Sequence, residues 1–146
     1  MTEQRVEIRE ATEVDDALVA AMARLIPQLS SSNPAPDRVA LSVIVESDSS
    51  ILLLAEEQGE VLGAMTLVVF RIPTGVRAWI EDVVVDEAAR GRGVGEALNR
   101  VAIQRARDAG ARTVDLTSRP SREAANRLYG RLGFKLRDTN VYRLDL

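Results

Sequence analysis

Val6, Glu7, Ile8 and Arg9 alternate apolar and polar positions at a period of two, which predicts a short strand. Thr12 follows as a good helix N-cap, with Asp15 at N3. Leu18, Val19, Met22, Leu25, Ile26 and Leu29 then recur at three- and four-residue steps, one apolar helix face that Pro27 and the polar tract from Ser30 to Pro36 should break. Asp37 is placed to cap a second helix through about Glu46. Ile51 to Ala55 and Val61 to Phe70 flank Glu57-Gln58-Gly59-Glu60, the pattern of a hairpin of buried strands. Beyond Pro73-Thr74-Gly75, the run from Ala78 to Val85 reads as another strand, antiparallel to its predecessor because the link is short.

The rhythm then changes. A glycine-rich turn from Arg90 to Gly95 leads into a helix whose apolar positions Val94, Leu98, Val101, Ala102, Ala106 and Ala109 stop at Gly110. Thr113 to Thr117 is a strand of period two, and Ser121 opens a helix through Leu132 that Gly133 closes. Val141 to Leu146 alternates again and should end the chain as a strand, with Tyr142 packed on the sheet. Strands run consecutively early and alternate with helices later. The expected fold is therefore α/β in the mixed, α+β sense: one domain over residues 1–146, with a mostly antiparallel sheet and helices on both faces.

The chain has 146 residues, enough to bury roughly 68–70% of the surface its unfolded form exposes without a staple. It contains neither Cys nor His. That excludes a thiol nucleophile, a Ser-His-Asp triad, disulfides and zinc held by thiolate or imidazole, and no metal is expected. Charge is asymmetric. Residues 1–89 hold 16 acidic and 6 basic side chains, net −10, whereas residues 90–146 hold 13 basic and 6 acidic ones, net +7. A polyanion suits the second half and a cationic or amine-bearing molecule the first; solvated helix faces are the plain alternative. Residues 1–20 are charged throughout and no apolar run reaches ~18 residues, so the expected location is cytoplasmic, with no membrane partner.

The most specific local feature is Val83-Val84-Val85 followed by Arg90-Gly91-Arg92-Gly93-Val94-Gly95: strand, glycine loop, helix start. Glycines let backbone approach a ligand closely, first-turn N–H groups lack helical partners, and the helix dipole adds about half a positive charge there. Arg90 and Arg92 add full charges. A Walker A loop would need Lys-Ser/Thr after the last glycine, and a dinucleotide fingerprint a small residue where Glu96 stands, so both are rejected. An ordinary tight strand-to-helix turn remains the alternative.

These residues resemble the Arg/Gln-x-x-Gly-x-Gly/Ala signature of the GNAT superfamily of N-acetyltransferases, which binds the pyrophosphate of acetyl-CoA. Ile80 to Val85 resembles the strand before that signature, and Glu123 to Phe134, with Asn126 and Tyr129 three apart, resembles a later helix of the family. The likeness spans almost the whole chain, strongly over residues 79–134 and weakly over 10–50. It implies a GNAT-like fold, acetyl-CoA as co-substrate and an amine acceptor, small molecule or peptide, that meets the 10–50 segment. It also allows a homodimer through the terminal strands.

Amine acetylation needs a base, a polarised carbonyl, a held thioester and a proton for the departing thiolate. The resemblance points to Glu81 as base. Asp82, expected on the opposite strand face, or a carboxylate-bound water are alternatives, and a salt bridge to a nearby Arg would give both carboxylates a structural role. Tyr129 is the candidate acid, against the alternative of a half-buried core aromatic. By resemblance, Asn126 hydrogen-bonds the pantetheine arm. The same resemblance implies that a backbone N–H of Val83, Val84 or Val85 polarises the acetyl carbonyl where that strand diverges from the Thr113–Thr117 strand; plain core strand is the alternative for the three valines. A non-catalytic acyl-CoA-binding sensor would keep the cradle without turnover. A nucleic-acid-binding domain conflicts with the pI near 5.1 and the lack of interleaved aromatics.

Overall fold

The computed structural model describes residues 5–146; residues 1–4, part of the charged opening stretch, lie outside the described residues. Five strands pair in chain order into one sheet: β1 (Glu7–Glu10), β2 (Ser50–Glu57), β3 (Glu60–Ile72), β4 (Gly75–Val85) and β5 (Val114–Asp115). The first three pairings are antiparallel and the last is parallel. Connection length explains the difference. The β2–β3 turn is only Gln58 and Gly59, with φ of 51° and 79°, the two positive values that match strand twist in a two-residue hairpin. The parallel pair needs a crossover, and α3 (Val94–Asp108) supplies it.

The other helices are α1 (Asp16–Leu29), α2 (Arg38–Glu46) and α4 (Glu123–Arg131). The cap of α1 is Asp15, whose carboxylate accepts from Leu18 N–H at 2.8 Å, rather than Thr12. Pro27 does not end that helix. In the last turn its missing N–H costs one bond, and the Ser30 N–H still reaches Ile26 O at 2.9 Å. Asp37 caps α2 through Ala40 N–H at 2.8 Å, as the spacing predicts. Gly133, at φ 99°, closes α4 with Gly133 N–H to Gly130 O and Phe134 N–H to Tyr129 O, the Schellman pattern.

Period-two alternation sends Leu53, Met65, Ala78 and Ile80 to one face with Leu98 and Ala102 of α3. Leu52, Leu54, Ala64 and Val84 meet Leu18, Met22 and Leu25 of α1 and Leu41 of α2 on the other. Helices thus cover both faces of a mixed, mostly antiparallel sheet. Gly63 permits the tightest approach: a Cβ there would lie 2.9 Å from Val84 O and 3.1 Å from Val94 Cγ1.

Three expectations for the C-terminal half are corrected. β5 pairs over two residues instead of Thr113 to Thr117. Val141 to Leu146 is not a strand, and Tyr142 is 87% exposed rather than packed on the sheet. Alternation alone does not make a strand: the backbone needs a ladder partner, and among the described residues this segment has none. The last helix also begins at Glu123, two residues beyond Ser121.

Candidate functional site

The site forms where β4 stops behaving as a regular strand. Ala64 pairs with Val84 but Thr66 with Glu81, so Asp82 and Val83 together oppose Met65 in a β-bulge. Asp82 takes φ 51°, a left-handed conformation that Asp tolerates better than most residues. The extra residue corrects the expected alternation. Glu81 and Asp82 are both exposed and both line the same cleft. It also returns Val84 to the α1–α2 side, whereas strict alternation would have put it with Ile80.

Neither carboxylate is in an ion pair among the described residues. Glu81 Oε1 instead accepts from Trp79 Nε1–H at 2.7 Å. A neutral donor holds one oxygen and leaves Oε2 open.

Beyond Trp79 the parallel ladder ends: its two pairs are Ala78 with Val114 and Trp79 with Asp115. The strands part after Trp79, just before the bulge, leaving the rest of that edge of β4 without a strand partner. Because Asp86 N–H donates to Leu62 O at 2.7 Å, the register turns the neighbouring Val85 N–H away from β3, towards the opening.

A one-turn 3-10 helix, Glu87–Ala89, links β4 to the glycine turn. The Asp86 carboxylate caps it at Ala88 N–H, 3.1 Å, and takes Arg24 Nε–H at 3.1 Å; Gln28 Oε1 accepts from Glu87 N–H at 2.8 Å. The Ala88 N–H, reinforced by Arg24, holds the Asp86 carboxyl below its ordinary value. Arg24 and Gln28 are one turn apart on α1, so that helix clamps the approach to the cradle.

Gly91 and Gly93 sit at φ 79° and 77°, and a Cβ on either would enter open space. Gly93 caps α3 without a side chain, and the first intrahelical bond is Ala97 N–H to Gly93 O at 3.0 Å. The N–H groups of Val94, Gly95 and Glu96 therefore have no helical acceptor. Arg90 lines the cleft. Arg92 does not: its guanidinium pairs with the buried Glu57 carboxylate at the end of β2, so one arginine of the motif, not two, stands at the cradle.

The cleft, about 1500 Å³, runs from the α1–α2 connection past the bulge and cradle to α4. Tyr129 lines it, 9% exposed, with its ring edge-on to Phe134 at 5.7 Å. Burial pushes its phenol above the ordinary value, against the opposing effect of the Arg122 charge. Asn126 is exposed and outside the lining; its Nδ2–H donates to Arg119 O at 2.9 Å. The periodic reading of α3 passed over Asn99, which is fully buried and lines the cleft, with Nδ2–H on Gly95 O at 2.8 Å. Asn99 Oδ1 and Ser118 Oγ are both buried without a partner, and both residues line the cleft. The signal for Asn99 was a polar residue directly after Leu98 on the core-facing side of the helix.

Residues 18–134 match the model of the acetyltransferase (GNAT) family. The chain is 34% identical over 140 residues to probable glucosamine 6-phosphate N-acetyltransferase 2 of Oryza sativa subsp. japonica, covering 88% of this chain and 81% of that protein. An acetyltransferase from Trypanosoma brucei superposes with a TM-score of 0.79 at 26% identity, over 97% of this chain and all of that one. The aminoglycoside N-acetyltransferase AAC(6')-Iy, solved with CoA, shares the fold at a TM-score of 0.80 and 17% identity, over 99% and 97% of the two chains.

Proposed function

The chain belongs to the GNAT acetyltransferase family, and from that premise we propose that it moves an acetyl group from acetyl-CoA directly to a primary amine of a small molecule or peptide. The observation that carries this reading is the parting of β4 from β5 after Trp79, which opens a strand edge and an uncapped helix N-terminus onto one cleft containing Glu81 and Tyr129.

The residues present fit acetyl-CoA. The free amides of Val94, Gly95 and Glu96, with Arg90, Gly91 and Gly93, suit a pyrophosphate, and only glycine leaves the space above the loop open. Arg92 contributes by tying the loop to Glu57. The edge formed by Val83, Val84 and Val85 and the orphan atoms Asn99 Oδ1 and Ser118 Oγ suit the amides of a pantetheine arm. Asn126 acts from the rim, fixing the Arg119 carbonyl and the loop leading into α4. The bound co-substrate supplies an activated acyl thioester.

A free alkylamine with a pKa of about 10 arrives protonated. Glu81, held by Trp79, takes the proton directly or through a water, a contribution of ~10²–10⁴-fold. A backbone N–H at the bulge polarises the acetyl carbonyl at no reorganisation cost. Tyr129, kept protonated by burial, returns a proton to the departing thiolate. No enzyme nucleophile is involved, consistent with a chain without cysteine.

The test is acceptor-dependent thiol release from acetyl-CoA across a panel of amines, with calorimetric titration of CoA alongside. Saturable CoA binding and release with at least one amine is expected. Binding without release across the panel replaces the transferase with an acyl-CoA sensor, and no binding at all ends both readings.

A further inference from the structure

The cations that line the cleft stand at one end of it. Its α1–α2 end is walled by Met22, Ile26 and Leu29 of α1 and Leu41 and Ile44 of α2, and the ionisable groups meeting that wall are the Glu81 and Asp82 carboxylates of the bulge. The arginines that line the cleft are Arg90, Arg119, Arg122 and Arg131, at the glycine turn, the β5–α4 connection and α4, the end assigned above to the co-substrate, where Glu96 and Glu123 also line it. Among the described residues, no Lys or Arg of α1, α2 or β1–β4 lines it.

Resting on the transferase reading of the site, we infer that the acceptor end admits a cationic amine on an apolar body and turns away amines carrying a phosphate or carboxylate, with Asp82 as the residue that sets this preference. An ammonium group gains from both carboxylates and its carbon body from the apolar wall. A distal anion finds no cation there and is repelled by the same two charges. Asp82 is suited to this role because, among the described residues, it has no ion-pair partner, and it lines the cleft as an exposed residue of the bulge directly beside Glu81. The preference runs opposite to the substrate in the name of the rice relative, a sugar phosphate.

The test compares amines differing only in the anion: tyramine with O-phosphotyramine, and glucosamine with glucosamine 6-phosphate. Each is titrated into the CoA-loaded protein by calorimetry, with the emission of Trp79, the only tryptophan and bonded to Glu81, as a second readout. The unphosphorylated member of each pair should bind about tenfold more tightly at low salt. The ratio should collapse at 1 M salt, where the screening length falls to about 3 Å. Asp82→Asn, compatible with the left-handed backbone, and Asp82→Gly, which relaxes it, should each cut the ratio severalfold. Equal affinities, tighter binding of a phosphorylated member, a ratio unmoved in both variants, or no binding by either pair overturns the charge filter. A charge preference without thiol release leaves the filter standing and removes the transferase reading; release without preference does the reverse.

Discussion

Trp79 Nε1–H donates to Glu81 Oε1 at 2.7 Å, joining the only tryptophan of the chain to a cleft carboxylate two residues along the same strand face. The pair sits where the β5 ladder ends, so the indole fixes the carboxylate where backbone pairing no longer does. Trp79→Phe keeps an aromatic ring but removes the indole N–H donor. It should lower kcat about fivefold, a lost hydrogen bond of about 1 kcal/mol, with KM for acetyl-CoA unchanged. An unaltered kcat would separate the bond from catalysis.

Tyr129→Phe removes only a hydroxyl from a buried ring that stays edge-on to Phe134. CoA affinity should stay within about twofold while turnover falls by ~10²-fold, the lower range for loss of a positioned acid. Because burial raises the phenol's pKa, wild-type activity should persist into mildly alkaline pH and decline only above the ordinary tyrosine range. A pH–rate profile of wild type and variant checks both.

Gly93→Val places a β-branched residue at φ 77°, where the backbone penalty is about 1–2 kcal/mol, and its branch enters the open space above the cradle. Loss of detectable CoA binding by calorimetry is expected, with the fold retained by circular dichroism and a modestly lower Tm. Wild-type affinity in a folded variant would remove the glycine turn from the phosphate site.

Gly63→Ala tests the contact that lets α3 approach the sheet. Its Cβ would meet the Val84 carbonyl at 2.9 Å, and backbone cannot yield as a flexible side chain does. Destabilisation of about 1–3 kcal/mol is expected by chemical denaturation. A neutral effect would show that β4 at Val84 and the first turn of α3 both adjust freely.

Asp86→Ala should destabilise the protein by about 1 kcal/mol at neutral pH, through loss of the cap and the Arg24 contact. The Asp86 carboxyl titrates below its unfolded value, so its contribution is complete above the unfolded pKa, about 3.9, and is lost as pH falls through the lower folded value. Denaturation midpoints of variant and wild type should therefore converge in strong acid. A deficit that stays constant with pH would assign the loss to packing alone.

Residues 60–110 were legible because their signals are local. Gly91 and Gly93 announce positive φ where a helix must begin, alternation from Val61 to Val85 marks β3 and β4, and α3 shows its apolar stripe directly. The glycine turn and its uncapped amides follow from a dozen neighbouring residues, and so did their recognition. The bulge at Asp82 did not, because an extra residue in one strand exists only relative to Met65 on its partner. Arg92 looked like a second phosphate ligand until β2, 35 residues earlier, brought the buried Glu57 to its guanidinium. Val141 to Leu146 carries as clear a period as β1, yet β1 found β2 and the last residues found no ladder. Periodicity and glycine placement act within a few residues, so the chain itself determined the elements and the cradle. Which carboxylates share the cleft, and which arginine stands at its mouth, depend on contacts between distant segments, and only the packed sheet decided them.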